Sequence, residues 1–83
     1  MRVIRYPLSS EKSIRLMESE NKLMFAVDRK AKKQDIKKAL EELYNVKIIK
    51  VNTLITPSGE KRAYIKFAED TPAIDLATKL GLM

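Results

Sequence analysis

Residues 46–68 carry two runs of alternating apolar and polar side chains, and this pattern restricts the fold more than any other feature. Residues 46–55 and residues 61–68 each alternate with a period of two, which is typical of β-strands that bury one face. The Pro-Ser-Gly sequence at 57–59 supplies residues that favour a turn between them. The segment is therefore predicted to form a β-hairpin with one core face and one polar face.

The polar face of this hairpin is the first candidate binding surface. Alternation predicts that the buried face carries Ile49, Val51, Ile55, Ala63, Ile65 and Phe67. The opposite face is predicted to carry Lys50, Asn52, Arg62, Tyr64 and Lys66. Because cations neutralise phosphates and a tyrosine ring can stack on a base, this face favours RNA. The alternative is an ordinary solvated sheet face, since alternation requires only that polar residues point outward.

Periodicity and capping residues predict the remaining elements. In order, these are an edge strand at 3–6, a helix capped by Ser9 or Ser10, a strand at 22–27, a helix at 33–44, the hairpin, and a short helix capped by Thr71. The helix at 33–44 has an apolar stripe of Ile36, Ala39, Leu40 and Leu43, with Asn45 as a left-handed C-cap. The order β-α-β-α-β-β-α predicts an α+β fold, in which a small antiparallel sheet has helices packed on one face. We expect a variant of the ferredoxin-like or RNA-recognition-motif arrangement.

Length and composition limit the possible classes of function. A chain of 83 residues suits a single domain, predicted at 1–83. Seventeen Lys and Arg against eleven Asp and Glu give a formal net charge of +6, which favours a polyanionic partner. The chain contains no cysteine and no histidine, which removes disulfides, cysteine nucleophiles, histidine bases and most zinc sites. No catalytic residues, metal, cofactor or small-molecule substrate are predicted.

The N-terminal residues lack the apolar core of a signal peptide, and no stretch approaches the ~20 apolar residues of a membrane span. We therefore expect a cytoplasmic protein without membrane insertion.

A run of six cations forms a second candidate surface at and before the start of the longest helix. Its members are Arg29, Lys30, Lys32, Lys33, Lys37 and Lys38. Cations at a helix N-terminus oppose the helix dipole, at a cost of a few tenths of a kcal/mol each, so phosphate contact would give a reason for them. The alternative is that Lys37 and Lys38 pair with Glu41 and Glu42 at a spacing of four on a solvated helix face.

Four segments, read in order, resemble ribosomal protein twenty-three of the large subunit in its short archaeal form. They are Tyr6-Pro-Leu-Ser-Ser-Glu-Lys12, Asn21-Lys-Leu-Met-Phe-Ala-Val27, Val51-Asn-Thr-Leu54 and Lys61-Arg-Ala-Tyr-Ile-Lys66. The resemblance covers essentially the whole chain. It implies a structural constituent of the large ribosomal subunit that binds 23S-type rRNA beside the polypeptide exit tunnel, without catalytic activity.

The resemblance also implies partners and site residues. The partners are large-subunit rRNA, neighbouring ribosomal proteins, and factors that meet nascent chains, namely signal recognition particle and the protein-conducting channel. The RNA-binding residues are Lys12, Lys30, Lys32, Lys33, Lys37, Lys50, Asn52, Thr53, Lys61, Arg62, Tyr64 and Lys66. Glu11 matches the glutamate that bacterial relatives use to dock a chaperone. Bacterial relatives carry a long hairpin loop, whereas residues 56–60 form only a short connection here.

Two other readings stay open from the residues alone. Residues 22–80 could form a free RNA-binding domain of the RNA-recognition-motif type, although Lys61 and Arg62 replace the glycine and the first aromatic of that family's octamer motif. Alternatively, the chain could be a protein-interaction module whose charge serves only solubility.

Overall fold

The computed structural model describes residues 3–81, and within them the chain forms four strands and three helices. The elements are β1 (Ile4–Pro7), α1 (Glu11–Glu20), β2 (Lys22–Val27), α2 (Lys33–Tyr44), β3 (Ile48–Ile55), β4 (Lys61–Phe67) and α3 (Ala73–Lys79). The predicted order and the α+β class are confirmed. Met1 and Arg2 belong to the N-terminal segment that was predicted not to be a signal peptide, and they lie outside the described residues.

The sheet is antiparallel throughout and has the strand order β1-β2-β4-β3. Because β2 and β3 both run antiparallel to β4, they are parallel to each other and flank it. The unit β2-α2-β3 is thus a split crossover with β4 inserted in its centre, which is the ferredoxin-like arrangement. The fourth strand, β1, comes from the N-terminal side of this unit and completes the sheet beside β2.

The core lies between one face of the sheet and the three helices. The strands contribute Leu23, Phe25, Val27, Ile48, Val51, Ala63, Ile65 and Phe67, while the helices contribute Met17, Ile36, Leu40, Ala73, Leu76 and Ala77. Removing these side chains from water is the main favourable term for a domain of this size. The opposite sheet face carries the polar side chains of the hairpin, as alternation predicted, but Met24 and Ala26 of β2 are buried on this face, at 4% and 0% exposed.

The prediction for the buried side of β3 is wrong for two residues. Ile49 and Ile55 are 60% and 54% exposed, and Ile48 takes the core position that was assigned to Ile49. For Ile49 the cause is an irregularity in the pairing of β3 with β4 between Ile48 and Lys50, whereas Ile55 keeps the predicted face, opposite Lys61, and is exposed at the last position of β3. An extra residue in one strand reverses the faces of its neighbours, so strict alternation misplaces Ile49. On α2, Leu43 is likewise exposed rather than buried.

The helix caps are mostly those that the sequence predicts. Ser10 caps α1 by accepting a hydrogen bond from the backbone N–H of Ser13 at 3.2 Å. Asn45 adopts the predicted left-handed conformation at the end of α2, with φ of 53°. The cap of α3 differs from the prediction, because its N-cap residue is Pro72 rather than Thr71.

A side chain from a distant part of the chain caps α3 instead. The backbone N–H of Ala73 donates to Oδ1 of Asn21, at 2.6 Å. The Nδ2 of Asn21 also donates to the carbonyl oxygens of Phe67 and Ala68, both at 3.1 Å, and of Thr71 at 3.4 Å. Asn21 itself ends α1 in a left-handed conformation with φ of 56°. One side chain therefore joins the end of α1, the end of β4 and the start of α3.

Candidate nucleic-acid interface

The five polar residues predicted on the hairpin face are brought together by the pairing of β3 with β4. Lys50 lies opposite Lys66, Asn52 opposite Tyr64, and Leu54 opposite Arg62. Directly opposite residues in an antiparallel pair share a face and lie about 5 Å apart. The structure thus places these side chains in three successive rows on the sheet face that the core leaves open.

The first of these rows contains three lysines. On the other side of β4, Lys66 also pairs with Lys22 of β2, so Lys22, Lys66 and Lys50 lie side by side on three adjacent strands. We call this set the lysine row. Like charges directly opposite each other destabilise a sheet, and only Lys22 has an ion-pair partner within residues 3–81, the carboxylate of Glu20 at 3.2 Å. Lys22 is not among the predicted RNA-binding residues, although it lies on the same face of β2 as Met24 and Ala26.

Lys12 joins this face from the first turn of α1. Its Nζ lies 5.6 Å from the centre of the Tyr64 ring, within the range of a cation–π contact. The contact places a fourth cation beside the lysine row, because Tyr64 lies two residues before Lys66 on the same face of β4. It also means that a base stacking on that side of the ring would compete with the ammonium group.

Arg62 is less available than the sequence suggested. Its Nε donates to Oε1 of Glu60 at 2.8 Å, and the hydroxyl of Tyr6 donates to the other oxygen of the same carboxylate. The hydrogen bonds from Tyr6 and Arg62 lower the pKa of Glu60 below its usual 4.5, and the bond to Glu60 raises the pKa of Tyr6. The positive charge of Arg62 is thus largely balanced by a neighbour within the same face.

Replacing Glu60 with glutamine is expected to change how stability depends on pH. A carboxyl whose pKa is lower in the folded state stabilises the fold above its unfolded pKa, and this contribution is lost as the pH falls through the folded value. The stability advantage of the parent chain over Glu60→Gln should therefore be present near neutral pH and shrink at pH values below 4.5. Urea unfolding of both proteins across this range measures the difference. Glu42→Gln, which alters a carboxylate without a hydrogen bond or ion pair within residues 3–81, is the matched control for the loss of one negative charge.

The lysines of α2 approach the interface from the edge of the sheet. Lys33 and Lys37 line a shallow groove of about 360 Å³ together with Ile49, Lys50 and Asn52 of β3. Within residues 3–81, no ion pair joins Lys37 or Lys38 to Glu41 or Glu42, so the alternative of paired charges at a spacing of four is not seen. The lysines of α2 thus extend the cationic surface around the β3 edge.

Four of the predicted RNA-binding residues lie elsewhere. Thr53 and Lys61 point to the helix-covered face of the hairpin, where Nζ of Lys61 donates to the carbonyl of Ala31 at 2.7 Å. Lys30 and Lys32 are exposed in the turn before α2. This turn follows Val27 of β2, which pairs with Lys61. Val27 lies five residues along β2 from Lys22 of the lysine row, a distance of about 17 Å. These four side chains are therefore not part of the surface around the lysine row.

Glu11, the candidate docking residue, lies in the first turn of α1 and forms an ion pair with Arg15 at 2.6 Å. Both side chains are exposed.

Within residues 3–81, no three side chains of the metal-ligating types lie close enough together to hold a metal ion, and no helix is long and apolar enough to cross a membrane. The lysine row, with Lys12, Lys33 and Lys37 around it, is suited to contacting an extended anionic surface.

Comparison with known proteins identifies similar chains. Residues 2–75 match the family described as "Ribosomal protein L23". A protein of Trypanosoma brucei brucei named large ribosomal subunit protein uL23 is 50% identical over 99% of this chain, which spans only half of that protein's length. Proteins of the same name from Methanococcus aeolicus and Methanococcus vannielii are each 49% identical over 96% of this chain, which covers 93% of their lengths.

Proposed function

The chain belongs to the ribosomal protein L23 family, and from that membership we propose that it is a structural constituent of the large ribosomal subunit that binds large-subunit rRNA near the polypeptide exit tunnel. The family is one of structural proteins rather than enzymes. The cytoplasmic location expected from the sequence follows from this assignment, because the ribosome is a cytoplasmic particle. The whole of residues 1–83 is proposed to act as one rRNA-binding domain.

The lysine row is the observation that supports rRNA binding most directly. Lys22, Lys66 and Lys50 lie side by side on neighbouring strands, where their mutual repulsion opposes pairing of the strands. Phosphate groups placed over the row would remove this repulsion and release the counterions that surround the RNA. The arrangement is therefore unfavourable in the free protein and favourable in a complex with a polyanion.

The surrounding cations favour a folded RNA over an extended single strand. Lys12 lies over Tyr64, while Lys33 and Lys37 lie around the edge of β3. These ammonium groups come from α1 and α2 rather than from the strands of the lysine row, and this arrangement suits phosphates that are displayed in three dimensions. A free domain of the RNA-recognition-motif type would instead need two or three accessible aromatic rings on the open face. Tyr64 is the aromatic residue on the central strands of that face, and its ring already contacts Lys12.

We further propose that Glu11 contributes to docking of factors that meet nascent chains, namely signal recognition particle and the protein-conducting channel. The support is the match of Glu11 to the glutamate that bacterial relatives use to dock a chaperone, together with its exposure in the first turn of α1. Since Arg15 already pairs with this carboxylate, a factor that binds Glu11 would compete with Arg15 or bind both residues.

Sedimentation of cell lysate through a density gradient after a high-salt wash tests the ribosomal assignment. We expect this protein to migrate with the large subunit, because an integral component keeps contacts that salt does not disrupt, whereas loosely held cationic proteins are stripped. Recovery of the washed protein at the top of the gradient would contradict the proposal. A known integral protein of the same subunit, followed in the same fractions, shows that the particles survive the wash.

A further inference from the structure

The acidic residue Glu60 lies on the proposed RNA-binding face, where its charge opposes phosphate. It directly precedes β4, two residues before Arg62, and residues two apart on a strand share a face. Its carboxylate accepts one hydrogen bond from Nε of Arg62, at 2.8 Å, and another from the hydroxyl of Tyr6. These bonds lower the pKa of Glu60, so the group is ionised at neutral pH. An anion is therefore built into a surface that otherwise suits a polyanion, and its two partners indicate what it does there.

Strand pairing brings these two partners to one carboxylate. Tyr6 of β1 lies opposite Ala26 of β2, and Ala26 lies opposite Arg62 of β4. Since Ala26 has only a methyl group, the side chains of Tyr6 and Arg62 can meet at Glu60 across β2. We call Tyr6, Glu60 and Arg62 the Glu60 cluster. The connection between β3 and β4 also holds the cluster, because the backbone N–H of Glu60 donates to Oγ1 of Thr56 at 3.2 Å.

The hydrogen bond to Glu60 leaves the outer end of the Arg62 side chain free. Arg62 donates through Nε, and within residues 3–81 its Nη1 and Nη2 groups donate to no protein atom. The Arg62 side chain is 39% exposed, whereas that of Glu60 is 25% exposed. The two terminal nitrogens of a guanidinium form a rigid fork that binds two oxygens of one phosphate. The Glu60 cluster therefore presents an oriented pair of donors to a ligand on the open face.

Holding Arg62 in one orientation lowers the cost of binding a phosphate. A flexible arginine side chain loses rotamer freedom when it contacts a ligand, and this loss weakens binding. In the Glu60 cluster, folding has already restricted Arg62. The repulsion between Glu60 and a phosphate is offset in part by Arg5, whose positive charge also lowers the pKa of Glu60. Because salt screens exposed charges over about 8 Å at physiological ionic strength, we expect orientation of Arg62 to outweigh the repulsion that remains.

We propose that Glu60 and Tyr6 are positioning residues, which hold Arg62 so that its Nη1 and Nη2 groups bind the oxygens of one rRNA phosphate. This inference rests on the rRNA binding proposed above and adds a second point of contact to it. Arg62 lies four residues along β4 from Lys66, about 13 Å away, so its phosphate is distinct from those directly over the lysine row.

Filter binding of the full chain to refolded large-subunit rRNA from the same cells tests the proposal, because charge and positioning predict opposite results. Glu60→Ala removes a negative charge, so charge alone predicts tighter binding. We expect instead that affinity falls about threefold or more, since Arg62 is no longer oriented. Tyr6→Phe keeps every charge and loses only the hydroxyl, and should weaken binding about twofold. Glu42→Ala, which removes an exposed carboxylate on α2, is the matched control and should not weaken binding.

The variant Arg62→Gln provides a result that a general role of Glu60 in folding would not give. Without the guanidinium, Glu60 has nothing to position, so adding Glu60→Ala to Arg62→Gln should leave affinity unchanged or raise it. General damage to the fold would instead weaken binding in both backgrounds, and amide spectra of the ¹⁵N-labelled variants report whether each keeps the fold. In the free protein, the Nε–H signal of Arg62 should shift in Glu60→Ala, because its acceptor is lost.

The outcomes separate this inference from the function on which it rests. Binding by Glu60→Ala that equals or exceeds that of the parent chain would overturn the positioning role while leaving rRNA binding intact. An equal loss from Glu60→Ala with and without Arg62 would overturn it in the same way. Failure of the parent chain to bind the rRNA would overturn the proposed function, and the inference with it.

Discussion

Replacing Asn21 with alanine is expected to destabilise the folded chain by about 3 kcal/mol, and to lower its melting temperature by roughly 10–20 °C. The side chain of Asn21 makes four hydrogen bonds to backbone groups that are distant in sequence, from Phe67 to Ala73. A hydrogen bond of this kind contributes about 1 kcal/mol, and the loss is larger where a partly buried partner is left unpaired. The left-handed backbone at this position adds a further cost, because alanine adopts it less readily than asparagine.

Asn45 provides a matched control for this experiment. It ends α2 in nearly the same left-handed conformation, with φ of 53° against 56° for Asn21, but within residues 3–81 its side chain makes no hydrogen bond to the protein. Asn45→Ala should therefore cost only about 1 kcal/mol, from the backbone alone. Glycine separates the cost of the left-handed backbone from the loss of the side-chain hydrogen bonds. Asn45→Gly should be nearly neutral, while Asn21→Gly should keep about 2 kcal/mol of the loss. Chemical denaturation measures these losses in free energy of unfolding, with the same dependence on denaturant concentration for all four variants. Equal losses at the two positions would contradict the role assigned to Asn21.

Removing two charges from the lysine row is expected to change stability and RNA affinity in opposite directions. In the double variant Lys50→Gln with Lys66→Gln, the like-charge repulsion across β3 and β4 is relieved, so the free protein should become more stable by a few tenths of a kcal/mol. Affinity for a folded fragment of large-subunit rRNA should fall on the order of 30-fold near 0.1 M salt, through loss of about two phosphate contacts. The slope of log affinity against log salt should become shallower by about 1.5 to 2.

The matched control for the lysine row is the double variant Lys47→Gln with Lys79→Gln. It lowers the net charge by the same amount, but Lys47 pairs with Asp70 outside the open face and Lys79 lies in the last turn of α3. We expect a smaller loss of affinity and a nearly unchanged salt slope in this variant. Equal losses in the two double variants would show that RNA responds to overall charge only, and the lysine row would lose its assignment as the centre of the interface.

The elements of the fold were predictable where the pattern is local. The hairpin and α2 depend on short-range periodicity, and the bounds of α2 and the left-handed cap at Asn45 agree with the structure. The inward residues of β3 were not predictable in the same way, because one irregularity between Ile48 and Lys50 reverses the faces. The cap of α3 was also missed, since its acceptor, Asn21, lies 52 residues away from Ala73 in the sequence.

The candidate site shows the same division between local and long-range information. Alternation alone placed Lys50, Asn52, Arg62, Tyr64 and Lys66 on one face. The pairing of Arg62 with Glu60 was detectable, because residues two apart on a strand share a face. The lysine row required the pairing of β2 with β4, and the position of Lys12 over Tyr64 required the placement of α1, neither of which a one-dimensional pattern specifies.

The strand order of the sheet also determines which parts of the chain must meet last during folding. β3 and β4 are joined by a short connection, and β1 and β2 are separated only by α1, so both pairs close over fewer residues than the central pair does. The central pair joins β2 to β4, whose partners such as Leu23 and Ile65 are about 40 residues apart. Synthesis from the N-terminus makes β2 long before β4, so the apolar side chains of β2 wait for their strand partner until most of the chain exists. Closure of this central pair is therefore the expected slow step of folding, and the interval before it is when the newly made chain exposes the most core surface.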